Sequence, residues 1–253
     1  SATIGNFDGM HLGHKAILEK VKKNAKEKNL SSLVIFTEPH AAEYFSKINN
    51  SSPPPRIIPW REKLRLISKN GIDFCMLLKF DESLKSMTPE QFTGEILEEL
   101  QIKSLTIGDD FKFGKDRKGD HQYLKSWGAS MGIEIDKTDT IKVDDQRVSS
   151  TRIREALISN NFKTANAMLD WHYSYSGKVV YGSQLGREIG VPTANIWIPK
   201  QKLPISGVYA VRCMVNNAKY LGIANMGIRP TVGGKRPVLE THIFDFEKDI
   251  YGR

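Results

Sequence analysis

Thr3-Ile4-Gly5-Asn6-Phe7-Asp8-Gly9-Met10-His11-Leu12-Gly13-His14 is the stretch whose reading decides the fold. A short apolar run enters a glycine turn, and a His-x-Gly-His sequence then leads into Ile17, Val21 and Ala25 at four-residue spacing, the period of a helix. The pattern is a strand, a tight turn and a helix start. Glycines let backbone approach a phosphate, the helix N-terminus offers unpaired N–H groups and the positive end of its dipole, and two imidazoles add donors. Such a site suits nucleotide phosphates. Two plainer readings use the same residues: a βα turn with incidental histidines, or a metal held by Asp8, His11 and His14, because histidines three apart on a helix can share an ion.

Outward from this stretch, short apolar runs alternate with helical patterns, the signature of βαβ units and a mostly parallel sheet. Leu33–Phe36, Phe74–Leu78, Leu105–Ile107 and Ile133–Ile135 are the candidate strands. Thr88-Pro89-Glu90-Gln91 supplies an N-cap, a first-turn proline and a capping-box glutamine for a helix carrying Phe92, Ile96 and Leu100. Asp120 caps a second helix, which Gly132 is placed to end. The composition of Asn49–Pro55 predicts a mobile or extended loop.

Ligands of open α/β sheets sit at the C-terminal ends of the strands, so two further segments are expected beside the first. Ile107–Gly114 leaves a strand through Gly108 into Asp109, Asp110 and Lys112, with Arg117 and Lys118 close behind. Val148-Ser149-Ser150-Thr151-Arg152-Ile153-Arg154 caps a helix with hydroxyls and places Arg154 one turn inside it, an arrangement that suits a triphosphate.

After about Leu169 helical periodicity disappears, and half of the 20 glycines fall in the last 83 residues. Val208–Val215 and Tyr220–Ile223 flank Asn216-Asn217, a hairpin with residues that tolerate positive φ at its turn. Ser176–Tyr181, Asn195–Ile198 and Val238–Phe246 supply further strands, so a small antiparallel barrel is expected, with the boundary near residues 170–174. Gly186-Arg187-Glu188-Ile189-Gly190-Val191-Pro192-Thr193-Ala194-Asn195 presents a hydroxyl and an amide, oxygen ligands that suit Mg²⁺ shared with substrate phosphates. Glu240 and His242 share one face of a strand, and a carboxylate turned into a barrel needs a partner or a task.

Composition narrows the function classes. The 253 residues are 40% hydrophobic and 26% charged, as in ordinary globular proteins. No apolar run approaches the roughly 20 residues of a membrane helix, and Cys75 and Cys213 lack disulfide-framework or zinc spacing, so a reducing cytoplasm is the expected location. The net charge of +8 divides as +2 over residues 1–170 and +6 over residues 171–253. This is weaker clustering than a nucleic-acid surface shows, and small anionic ligands are the expected partners, with no nucleic acid and no membrane.

Taken together, the first three segments resemble the nucleotidyltransferase superfamily that carries a His-x-Gly-His motif. Gly5–Gly9, Gly108–Gly114 and Ser149-Ser150-Thr151 with Arg154 look like the FAD synthetase half of the bacterial bifunctional riboflavin kinase/FMN adenylyltransferases. Pro192–Asn195, Gly222–Thr231 and Glu240 followed by Asp249-Ile250-Tyr251-Gly252 resemble its riboflavin kinase half. The resemblance implies a Rossmann-like nucleotidyltransferase domain over 1–170 and a β-barrel riboflavin kinase domain over 171–253. It implies transfer of the ATP γ-phosphoryl group to riboflavin, and then of an adenylyl group from a second ATP to FMN. Glu240 would be the kinase base, Thr193 and Asn195 would organise Mg²⁺ and ATP, and Gly186, Gly190 and Arg229 would line that site. His11 and His14 would stabilise charge in adenylyl transfer, with Gly5, Asn6, Phe7, Asp8 and Asp110 near the substrates and Ser149, Ser150 and Arg154 on the pyrophosphate.

Members of that family carry a strand ahead of the position of Thr3 and a further strand and helix beyond that of Arg253, so both flanks are expected to be incomplete. Ala41 stands where a second proline is common, and Val191 replaces a usual phenylalanine. A small aminoacyl-tRNA-synthetase-like enzyme shares the histidine logic but needs a lysine-rich loop where this chain has Ser149–Arg154. A non-catalytic flavin-binding regulator on the same folds is the other class in view.

Overall fold

The strand that precedes the glycine turn, β1 (Ala2–Ile4), occupies the centre of a five-stranded sheet. Its companions are β2 (Leu33–Glu38), β3 (Phe74–Lys79), β4 (Ser104–Ile107) and β5 (Glu134–Lys137). The computed structural model describes residues 1–182, 186, 190–199, 202–231 and 234–253, with the backbone alone for 229–231 and 234–236. The sheet order is β3-β2-β1-β4-β5 and every pairing is parallel, with Thr3 opposite both Val34 and Thr106. The chain thus winds outward from β1 to β3 on one side and returns to β4 and β5 on the other. The reversal opens a crevice at the C-terminal ends of β1 and β4.

Helices cover both faces: α1 (Leu12–Glu27), α2 (Ala41–Ile48), α3 (Trp60–Lys69), α4 (Glu82–Ser86), α5 (Pro89–Phe92), α6 (His121–Met131), α7 (Ser150–Ile158) and α8 (Phe162–Leu169). The apolar run of β2 explains the two layers, since successive side chains point to opposite faces. Val34 and Phe36 join Leu18 and Val21 of α1, Ile67 of α3 and Leu157 of α7, while Ile35 joins Leu97, Leu105, Ile107 and Leu124. Each such fully buried aliphatic side chain contributes about 1.5–3 kcal/mol.

Local signals hold at most ends. Asp120 accepts from Tyr123 N–H and Gly132 takes the left-handed conformation at the end of α6, while Thr88 and Gln91 close the expected capping box of α5. The helix expected to run regularly through Leu100 is instead one α-turn followed by a π-helix over Thr93–Glu98. The Thr93 hydroxyl donates to the carbonyls of Pro89 and Glu90, a side-chain bond that competes with the regular backbone ladder.

β6 (Lys142–Val143) and β7 (Gln146–Arg147) form a small hairpin ahead of α7. The glycine-rich remainder forms β8 (Val179–Val180), β9 (Ala194–Ile196), β10 (Gly207–Val215), β11 (Ala218–Thr231) and β12 (Gly234–Ile243), an antiparallel sheet in the order β10-β11-β12-β9-β8. Asn216 and Asn217 turn the β10–β11 hairpin with φ of 50° and 65°, as expected. β12 ends before the expected Phe246 because Asp245 adopts φ 52°. Ile198, Ala224, Met226 and Leu239 form the core of this half.

Candidate functional site

A cleft of about 1130 Å³ opens where β1 and β4 end. Gly5, Asn6, Phe7, Asp8, His11, His14, Asp110, Ser149, Ser150 and Arg154 all line it. Three segments spread between residues 5 and 154 therefore converge, with the N-termini of α1 and α7 at one opening.

The histidines are held by the helix start itself. His11 is the N-cap of α1, and its Nδ1 accepts from the His14 N–H at 3.3 Å. The two rings stack 3.6 Å apart at 15°. Gly13 makes room for this, since a Cβ there would stand 3.2 Å from the His11 ring. His11 is only 7% exposed, and burial draws its pKa down to about 4, with Arg147 and Arg154 acting in the same direction. Burial likewise holds His14 well below the usual imidazole range, helped by His11 and Lys63, and its Nδ1 is buried without a hydrogen-bond partner among the described residues. Both rings are neutral at pH 7 and present N–H donors rather than fixed cations.

Asp8 is 1% exposed, and its carboxylate accepts from Ile57 N–H, Ile58 N–H and, at 2.8 Å, Arg154 Nη2. Arg154 Nε also donates to the Pro55 carbonyl. The Ser150 hydroxyl donates to the Asp8 carbonyl at 2.8 Å, and the Ser149 hydroxyl caps α7 by accepting from Arg152 N–H. These side chains tie the turn after β1 to the start of α7, and the N-termini of α1 and α7 carry the positive ends of their helix dipoles at the cleft, an arrangement suited to an anion. A metal held by Asp8, His11 and His14 is not formed: the Asp8 oxygens are occupied, and no metal-capable group of three His, Cys, Asp or Glu exists among the described residues.

Sequence reading missed what stands behind and across this cleft. Lys63 is fully buried, its Nζ 3.0 Å from His40 Nε2 and 4.6 Å from the centre of the Phe36 ring. Burial lowers its pKa to about 8, while Asp8 partly offsets the shift. His40 is thereby placed as the buried partner of Lys63, not as a wall of the cleft. Arg56 forks onto Glu38 and also pairs with Glu43, and these bonds outweigh the cost of burial and raise its pKa. Across the cleft Arg147, from the β6–β7 hairpin, pairs with Asp109 and lies 3.2 Å from Asp110. The Thr140 hydroxyl also donates to Asp109.

A second arrangement lies on the antiparallel sheet. Asn195, Glu240 and Asn225 stand opposite one another in adjacent strands and therefore share a face. Leu239, Thr241 and Ile243 alternate with Glu240 and are buried, so Glu240 lies on the face opposite the core rather than turned into it, as the barrel reading expected. Asn225 belongs to the Gly222–Thr231 stretch of the family resemblance, which lies within β11, and its register with Glu240 is what brings it here. His242 lies two residues on, and its Nδ1–H donates to the Pro192 carbonyl at 2.8 Å, tying β12 to the Pro192–Asn195 segment. A turn closes from Val191 N–H to Gly186 O, and a Cβ on Gly186 would collide with the Val191 carbonyl and come within 3.5 Å of Thr193 Oγ1. Gly190 takes φ +75° in that turn. Residues 187–189 and the Arg229 side chain lie outside the described residues. The hydroxyl of Thr193 and the amide oxygen of Asn195 are hard donors with no cluster of three acidic or histidine ligands beside them among the described residues, a set that fits Mg²⁺ held mainly by phosphate and water.

A parallel sheet with two helix N-termini at its topological switch point, followed by an antiparallel sheet with its own polar row, is the class of a two-part nucleotide-binding protein. Residues 1–152 match the FAD synthetase family and residues 169–253 match the riboflavin kinase family. The bifunctional riboflavin kinase/FMN adenylyltransferase of Escherichia coli (strain K12) is 40% identical over 253 residues, which is 99% of this chain and 80% of the relative. That of Haemophilus influenzae is also 40% identical, covering 99% of this chain and 81% of the relative. A crystal structure described as a macrolide-efflux protein from Streptococcus pneumoniae superposes with a TM-score of 0.79 and 30% identity, covering 100% of this chain and 82% of the other. No helix among the described residues is long and apolar enough to cross a membrane. The chain belongs to the bifunctional riboflavin kinase/FMN adenylyltransferase family.

Proposed function

We propose that this chain makes FAD in two steps: phosphorylation of riboflavin to FMN by ATP in the segment 169–253, and adenylylation of FMN by a second ATP, releasing pyrophosphate, in the segment 1–152. The observation that carries the reading is the match of both segments to these two families within one chain, 99% of which aligns with a bifunctional relative. Its substrates are ATP, riboflavin and FMN.

In the kinase half Glu240 orients the terminal ribityl hydroxyl and takes its proton as the oxygen attacks the γ-phosphorus of ATP; the bond from that phosphorus to the bridging oxygen of the β-phosphate breaks, and ADP leaves. Thr193 and Asn195 would hold Mg²⁺, which when bound neutralises phosphate charge; Gly186, Gly190 and Arg229 complete the nucleotide side. Positioning and charge neutralisation carry most phosphoryl transfer, so these oxygen donors matter as much as the base. In the other half an FMN phosphate oxygen attacks the α-phosphorus of ATP, the bond to the β-phosphate oxygen breaks, and pyrophosphate leaves. No covalent enzyme intermediate is needed. His11 and His14 donate N–H bonds where charge develops, while the N-terminus of α7, kept in place by Ser149, Ser150 and Arg154, receives the pyrophosphate. Asn6, Phe7 and Asp110 flank the flavin and adenine sides. Soluble small-molecule substrates fit a cytoplasmic enzyme.

The test is direct. Incubated with riboflavin, ATP and Mg²⁺, the protein should accumulate FMN and then FAD, resolved by chromatography over time. Binding of flavin without turnover would leave a regulatory flavoprotein instead.

A further inference from the structure

The boundary between the two family matches does not coincide with the boundary of the first site. Residues 169–173 fall in the stretch matched to riboflavin kinase, yet their contacts run to the turn that presents the histidines. Leu169 packs against Gly9, its Cδ2 3.3 Å from where a Cβ would stand. The Asp170 carboxylate pairs with Lys15 of α1 at 2.8 Å. Trp171 Nε1–H donates to the Gly9 carbonyl at 3.3 Å. The Tyr173 hydroxyl donates to the Ile57 carbonyl at 3.0 Å, and the Ile57 N–H in turn donates to Asp8. Tyr173 N–H is fixed by Asn166 Oδ1 at 2.8 Å, and both rings pack against the core under β1.

The turn they hold needs holding. Phe7, Gly9 and Met10 all take positive φ, at 48°, 92° and 45°, and for Phe7 and Met10 that conformation is sparsely populated. Such backbone persists only when its surroundings over-determine it. One side is supplied by Asp8 with Arg154 and the Ile57–Ile58 amides; the other is supplied by residues 169–173. His11 follows Met10 directly, so a relaxed turn moves both imidazoles off their stacked arrangement.

We infer that Trp171 and Tyr173 are positioning residues for adenylyl transfer, a clasp lent to the first site by the segment that begins the second half. The inference rests on the functional reading above and deepens it. It is tested in the full chain with Trp171→Phe, Tyr173→Phe and the double variant, the first removing the ring N–H and the second only a hydroxyl. Amide exchange of residues 5–14, followed by mass spectrometry, should accelerate at least about tenfold in the double variant. The kcat for FMN to FAD should fall by about tenfold, with KM for ATP changing less, because an imidazole misplaced by a fraction of an ångström costs rate before it costs binding. Riboflavin phosphorylation by the same preparations should stay within about twofold of the parent, which a general loss of folding would not allow. Unchanged exchange with unchanged kcat overturns the inference, and so does a parallel fall of both activities in each single variant. A parent that makes no FAD overturns the functional reading instead, and the exchange measurement, which needs no turnover, tells the two failures apart.

Discussion

Glu240 stands in register between Asn195 and Asn225, on the face of β12 turned away from the core. Glu240→Gln keeps the size and polarity of the side chain and removes the base. FMN formation should then collapse by about 10² or more while supplied FMN is still converted to FAD; near-normal riboflavin phosphorylation would remove Glu240 from the chemistry. The histidines make a different prediction, about pH. His11 titrates near 4 in the folded chain because burial disfavours its charged form, whereas in the unfolded chain it titrates near 6.5. Between those values the unfolded state binds more protons, so stability is intact above about pH 6.5 and is lost as pH falls toward 4, by up to about 3 kcal/mol from this one group. Melting temperature measured from pH 7 to 5 should drop, and drop less steeply in His11→Gln; identical slopes would show that His11 is not desolvated as described.

Among the elements, the turn after β1 and the Pro192–Asn195 segment depend on backbone shape in different ways. Gly9 has φ +92°, with Ile57 3.0 Å and Leu169 3.3 Å from a would-be Cβ, so Gly9→Ala combines an unfavourable conformation with a collision. It should destabilise the chain by about 1–3 kcal/mol in denaturant titrations and depress FAD formation well beyond its effect on FMN formation. Thr193→Ala and Asn195→Ala should lower riboflavin phosphorylation most at low Mg²⁺ and recover partly as Mg²⁺ rises. A Mg²⁺ response equal to the parent would mean that Thr193 and Asn195 shape the turn without assisting the ion. How much of this was legible in the sequence follows from range. The convergence of Gly5–His14, Gly108–Asp110 and Ser149–Arg154 was legible because each is a strand end or helix start, and parallel sheets bring such ends together. The π-helix was not, because apolar spacing cannot show that Thr93 bonds back to Pro89 and Glu90. Nor were Lys63 beside His40, Arg147 across from Asp109, or the side of β12 that carries Glu240: each depends on packing between segments distant in the chain.

For the whole molecule, the change of texture near residue 170 marks where one architecture gives way to the other, and we place the domain boundary there. It is not a free linker. Trp171 and Tyr173 pack on the first core, Ser176 Oγ donates to Glu62 of α3, Arg56 N–H donates to the Lys202 carbonyl, and the Tyr209 hydroxyl donates to Asn160. Chain cleavage is tolerated where few buried contacts cross, so the point of the cut should decide the outcome. A fragment 1–169 keeps every cleft-lining residue named above but loses the clasp on Gly9 and Ile57 and exposes the apolar surface that Trp171 and Tyr173 cover. A fragment 1–176 keeps both. We expect the longer fragment to convert FMN to FAD with kcat/KM at least about tenfold above the shorter, and neither to phosphorylate riboflavin. Circular dichroism and thermal melts of the two should show the same helical content and a lower Tm for 1–169, since seven residues without regular secondary structure add packing rather than helix. Equal kcat/KM in the two fragments would mean that the first half carries its own support and that the contacts at 171–173 merely dock the domains.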